Sequence, residues 1–150
     1  MMGVRGKALV ALVVGVMAVA TIVPASASAP KLKIRLIEFK VKPARSFVAA
    51  GKTTFVAKNA GGDEHEIVVV RGDDPGALPT KADGAVDESK IPKADVLGEI
   101  EEFKPGKTES KAFKLSPGSY ILFCNIVQKE KDGTVESHFK EGMYTTIEAS

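Results

Sequence analysis

Residues 120–143 read YILFCNIVQKEKDGTVESHFKEGM and contain the chain's single cysteine, Cys124, followed by His138 and Met143. The only other histidine is His65, upstream in NAGGDEHEIVVV. Tyr120, Leu122 and Cys124 share one parity of an apolar strand, which turns the thiol toward a buried face. His65 opens HEIVVVR, where the same alternation groups it with Ile67 and Val69 and sends Glu66 to the opposite side. Taken alone, such a histidine is an ordinary core residue, and a lone cysteine is an ordinary small hydrophobe. Two imidazoles, a thiol and a thioether together are the donor types of a trigonal copper site with a long axial sulfur.

Outward from that stretch, the amino terminus reads as an export signal. Arg5 and Lys7 precede an uncharged apolar run from Ala8 to Val23, and PASASAP supplies small residues for cleavage after Ala27. A cut after Ala29 would leave Pro30 first, a poor fit. The run has 16 residues, short of the roughly 20 that cross a bilayer as a helix. A retained anchor is the alternative, and it too leaves the domain outside, because Arg5 and Lys7 favour the cytoplasmic side. No cysteine follows the run, which excludes lipid attachment at a cysteine there. Met1, Met2 and Met17 leave with residues 1–27, so residues 28–150 keep two His, one Cys and one Met. A single cysteine in an exported chain makes no internal disulfide and is a buried thiol, an intermolecular bridge or a metal thiolate.

Without residues 1–27 the domain has 19 basic and 19 acidic residues and is near neutral, and a monomer is expected, but its charge is segregated. Residues 31–58 carry eight Lys or Arg against Glu38 alone, whereas residues 63–102 carry twelve acids against four bases. No basic stripe interleaved with aromatics is present, so nucleic acid is not an expected partner. The basic segment reads as a solvated sheet face or a lysine-protected edge rather than a docking patch.

KLKIRLIEFKVK (31–42) alternates as a half-buried strand whose register changes near Ile37 and Glu38. Further strands are expected at 46–49, in TTFVAKNA, HEIVVVR, VLGEIEEF, KTESKAFKL and SYILFCNI, and in MYTTIEA with Met143, Thr145 and Ile147 on one face. Residues 72–95 are rich in Gly, Pro and Asp and form a long connection with one helical turn near Val86 to Lys90. They carry no assignable chemistry and no EF-hand spacing. Seven to eight short strands with turns between them and almost no helical periodicity indicate one all-β domain over 28–150, an antiparallel Greek-key sandwich.

Three segments resemble the cupredoxin family. AGKTTFVAKNAGGDEHE is similar to its strand, Asn-Ala-Gly turn and first histidine; SPGSYILFCNI to its Pro-Gly-x-Tyr lead into the cysteine; HFKEGM to its His-x4-Met ending. The pattern covers about residues 31–149, and the acidic linker with VLGEIEEFKPG resembles a branch of small exported, plastocyanin-like bacterial members. The resemblance implies His65, Cys124 and His138 as equatorial copper ligands and Met143 as the axial one. Two departures stand out. Glu66 replaces the Asn that often follows the first histidine and braces the ligand loop, although the Glu66 backbone N–H remains free to donate to the Cys124 sulfur. Thirteen residues separate Cys124 from His138, more than in the commonest members. The extra QKEKDGTVES reads as a small projecting hairpin with an Asp132-Gly133 turn. Because the family's loop histidine brings copper near the surface, this hairpin is expected to select partners and to contribute little to copper binding; an inert insertion is the alternative.

The expected function is single-electron transfer between redox protein partners by Cu(I)/Cu(II) cycling outside the cytoplasm. Copper delivery or storage is the alternative, since the same ligands can hold Cu(I). An enzyme is not expected. A multicopper oxidase or nitrite reductase needs further histidines, a dinuclear copper centre needs a second cysteine, and no nucleophile motif supports Ser/His/Asp catalysis.

Overall fold

The computed structural model describes residues 28–150, so the expected signal segment 1–27 lies outside the described residues. Strand β1 (Lys31–Ile37) buries Leu32, Ile34 and Leu36 and exposes the lysines and arginine between them, as its alternation dictates. The expected register change near Ile37 is a chain reversal. β1 ends there and β2 (Lys40–Pro43) runs back antiparallel with Ile37 opposite Lys40, which leaves Glu38 and Phe39 as a two-residue tip. β3 (Phe47–Val48) crosses to the other sheet, and β4 (Gly51–Asn59) returns to lie parallel to β1.

β4 pairs antiparallel with β7 (Thr108–Leu115), completing a four-stranded sheet in the order β2-β1-β4-β7. The second sheet has the order β3-β11-β8-β5-β6, from β5 (His65–Arg71), β6 (Val96–Phe103), β8 (Gly118–Phe123) and β11 (Tyr144–Ala149). β9 (Val127–Lys129) and β10 (Val135–Ser137) form a separate hairpin. Among the described residues, eleven strands therefore replace the seven or eight expected, because β2 splits from β1 and the insertion supplies two more. The sandwich is mixed rather than purely antiparallel. β1/β4 and β3/β11 are parallel pairs, the former because the chain visits the second sheet between its two members.

Between the sheets lie Leu32, Leu36, Phe55 and Phe113 from one side and Ile67, Val69, Leu122 and Ile147 from the other. The apolar runs Ile67–Val70 and Tyr120–Phe123 are continuous because β5 and β8 are covered on both faces. Their outer face packs Val68, Val70, Ile121 and Phe123 against Val86 and Ile91 of the 72–95 connection and against Phe139. That connection contains 3-10 turns at Pro75–Ala77 and Glu88–Lys90. It is a lid on the second sheet, the structural role its composition left blank. Among the described residues, no helix is long and apolar enough to cross a membrane.

Candidate metal centre

Three neighbouring strands bring the ligand types to one end of the second sheet. β5 runs antiparallel to β8, and β8 antiparallel to β11, so the start of β5, the end of β8 and the start of β11 lie together. His65 is the first residue of β5, Cys124 follows β8 and Met143 precedes β11. The Cys124 N–H donates to the Met143 carbonyl at 3.0 Å, and the Met143 N–H donates to the His138 carbonyl at 2.9 Å. The turn between His138 and Met143 closes through Gly142 N–H to the Phe139 carbonyl, with Gly142 at φ +95°, where a side chain would be strained. The six-residue spacing HFKEGM is thus one compact turn.

All four side chains are fully buried. His65 Nδ1 and His138 Nδ1 lie 3.3 Å apart, and Cys124 Sγ lies 3.3 Å from His138 Nδ1. The three donor atoms are within 4.8 Å of one another. Such separations suit donors sharing one first-row ion at about 2.0–2.3 Å, the usual nitrogen and thiolate range. The donor chemistry also fits copper, pairing soft thiolate with imidazole. The carrier of the fourth donor type, Met143, is joined through its backbone to the other two loop residues and packs in the same core as Cys124.

Burial pushes the Cys124 thiol up to about 12, while the backbone N–H groups of Glu66 and Ile126 work in the opposite direction. A cation held by Cys124 would take the place of that proton. Burial also holds His65 below its ordinary pKa despite the Glu38 carboxylate, and holds His138 below its own, with His65 adding to the effect. Both rings are therefore neutral and available as ligands at neutral pH.

Around the donors lie groups that the sequence did not single out. His65 Nε2 meets Glu38 Oε1 at 3.2 Å. Partial burial works to raise the Glu38 pKa, but N–H groups of Asp63 and Gly62 and the His65 ring bring it below its ordinary value. His138 Nε2 lies 2.8 Å from the side-chain amide nitrogen of Gln128. With Nδ1 facing the donors, Nε2 carries the proton, and a half-turn of the amide presents its oxygen as acceptor. The Phe39 ring stands edge-on to His138 at 5.1 Å. The β9–β10 hairpin and the β1–β2 tip thus cover His138, which is 0% exposed, where the sequence suggested a ligand edge near the surface and a hairpin standing off it. Asp63 and Glu136 approach the outer side of His138 and add carboxylates to this rim.

Glu66 takes up the bracing that its replacement of Asn put in question. Its Oε1 accepts the Asn125 N–H at 3.0 Å, holding the residue after the cysteine. Burial raises the Glu66 carboxyl to about 7. Asn125 in turn clasps the 72–95 connection, accepting the Val86 N–H at 2.6 Å and donating to the Val86 carbonyl and Glu88. Asn59 fixes the turn before His65, accepting the Gly61 N–H and donating to the carbonyls of Asp63 and Phe103. Of these residues, Glu38 had a visible signal as the sole acid of a basic segment.

No protein-family model matches this chain, and no curated protein matches it. Solved structures do. An auracyanin from the photosynthetic bacterium Roseiflexus castenholzii superposes with a TM-score of 0.58 at 20% identity, covering 81% of this chain and 98% of that one. Auracyanin B gives 0.55 at 20% identity over 81% and 89% of the two chains. Auracyanin A of Chloroflexus aurantiacus, described as a "blue" copper protein, gives 0.50 at 15% identity over 80% and 98%. With the two-sheet architecture, the strand-end site and these superpositions in agreement, the protein folds as a cupredoxin.

Proposed function

We propose that this protein is an exported mononuclear blue-copper electron carrier, with His65, Cys124 and His138 as equatorial ligands and Met143 as the axial one. The observation that carries the reading is the convergence of two imidazole nitrogens and one thiol sulfur in a fully buried cluster at the end of a cupredoxin sandwich. When bound, copper supplies a one-electron Cu(I)/Cu(II) couple. The chain's own residues keep the reorganisation small. His65 and Cys124 are fixed by strand ends, and His138 and Met143 by a closed turn. Burial keeps water from the donors, which favours electron transfer over copper delivery, because handing an ion to another protein requires ligands that can be reached.

The partners would be redox proteins, and the reading includes no substrate turnover. The test is one visible spectrum of the protein with Cu(II). The wild type should bind one copper and show an intense thiolate-to-copper charge-transfer band, and Cys124→Ser should abolish it, because a hydroxyl is a hard and weakly acidic substitute. An intense band that survives in Cys124→Ser defeats the assignment.

A further inference from the structure

Glu38 reaches the centre from the sheet opposite the one whose strand ends carry His65, Cys124 and Met143. It stands at the β1–β2 tip, and its Oε1 gathers three donors: Gly62 N–H at 2.6 Å, Asp63 N–H at 2.9 Å and His65 Nε2 at 3.2 Å. Its side chain is 30% exposed and His65 is 0% exposed, so the pair is only partly screened by water. The loop that receives it is shaped for the carboxylate. The three atoms nearest to a Cβ built on Gly61 are Oε1, Cδ and Oε2 of Glu38, and that Cβ would overlap the carboxylate. Gly61 therefore makes room for Glu38, while Gly62 and Asp63 hold it.

A neutral imidazole can carry its proton on either nitrogen, and only one choice leaves Nδ1 free. A carboxylate at Nε2 selects that choice and fixes the ring plane, and outer partners of this kind set both the affinity and the electronics of a metal site. We propose that Glu38 is a positioning residue of the metal centre, which holds His65 with Nδ1 toward the ion and whose negative charge lowers the reduction potential of bound copper. This inference rests on the blue-copper reading. A neighbouring negative charge stabilises the more positive, oxidised ion, so its removal raises the potential. A purely structural clamp of the 61–63 loop would leave the potential alone.

Glu38→Gln separates the two roles, because the amide oxygen can accept from all three donors while the charge is gone. The copper-loaded variant should keep its charge-transfer band and show a higher midpoint potential by voltammetry. Glu38→Ala should raise the potential and weaken copper in chelator competition by about 10- to 100-fold. Gly61→Ala should behave like Glu38→Ala, since the flexible carboxylate is what yields to the new methyl. In the metal-free protein, long-range proton–nitrogen NMR should find His65 as the Nε2–H tautomer, and Glu38→Ala should lose that selection. A Glu38→Gln potential equal to wild type, or wild-type copper affinity in both Glu38→Ala and Gly61→Ala, overturns the proposal. If Glu38→Ala does not fold, the other two variants decide. A wild type without the intense band would defeat the blue-copper reading instead, and the tautomer measurement, which needs no metal, would still judge whether Glu38 positions His65.

Discussion

Met143 is the one thioether of residues 28–150, and the fold buries it completely between the carriers of the thiol and an imidazole. Met143→Leu is close to volume-conserving and should cost less than about 1.5 kcal/mol of stability. Its expected effect is electronic: copper and colour persist and the potential rises, because the oxidised ion loses a weak donor. His65→Ala should do more damage, opening an equatorial position to water and weakening the charge-transfer band. Spectra and voltammetry of the two variants check this order, and loss of copper in Met143→Leu but not in His65→Ala would reverse the axial and equatorial roles. The four candidate ligands were legible from sequence because they are rare: two His, one Cys and one Met leave few combinations. Gln128 was not, and Glu38 showed only as the sole acid of a basic segment, since carboxylates and amides are common and their contacts with His65 and His138 arise only when strand pairing delivers them.

At the level of elements, the two hairpins that cover His138 differ in how visible they are. β9–β10 announces itself through Asp132-Gly133, with Gly133 at φ +89° and Asp132 Oδ1 accepting from the Thr134 N–H and hydroxyl. The β1–β2 tip is Glu38-Phe39, without Gly, Asn or Asp, so the alternation of residues 31–42 reads as one strand across it. What the sequence could not give for either hairpin is contact: Gln128 and Phe39 both close over the same imidazole. The expectation that β9–β10 serves partner choice alone therefore becomes separable from a bracing role. Replacing Gln128 through Glu136 with a short Gly-containing link should slow the reaction with the native redox partner and also alter the copper spectrum, because the His138 Nε2 contact goes with Gln128. Gln128→Ala alone should reproduce the spectral change and leave the partner rate nearer to wild type. An unchanged spectrum in both variants would show that Gln128 does not brace the ligand, and an unchanged partner rate would leave the rest of the hairpin inert.

Over the whole molecule, the candidate ligands hang on a frame held together by its own packing and hydrogen bonds. Short alternating strands and turn residues made the sandwich legible, but the parallel pairs β1/β4 and β3/β11 were not, because strand direction is decided by where a crossing chain returns. The lid at 72–95 was illegible for a related reason: only Ala85, Val86 and Ile91 of its residues are buried, too few for any periodicity, and they matter because two continuous apolar strands need cover on their outer face. The resulting frame has two apolar clusters, one between the sheets and one beneath the lid, and Asn125, the residue after Cys124, ties the lid to the site. Backbone hydrogen bonds inside this frame fix the Cys124, His138 and Met143 backbones relative to one another. Removing the metal should accordingly leave the sandwich folded. An ion that binds only the folded state adds RT ln(1 + [L]/Kd), about 2.7 kcal/mol when free metal is 100 times its dissociation constant. Treatment with a chelator should therefore lower the thermal midpoint while far-UV circular dichroism at 25 °C stays that of a β protein, and re-addition of Cu(II) should restore the charge-transfer band on mixing rather than on a refolding timescale. A metal-free protein that has lost its β signal would mean that the ion organises the frame, and that cause runs from the ion to the strand ends and the sandwich rather than from the sandwich to the ion.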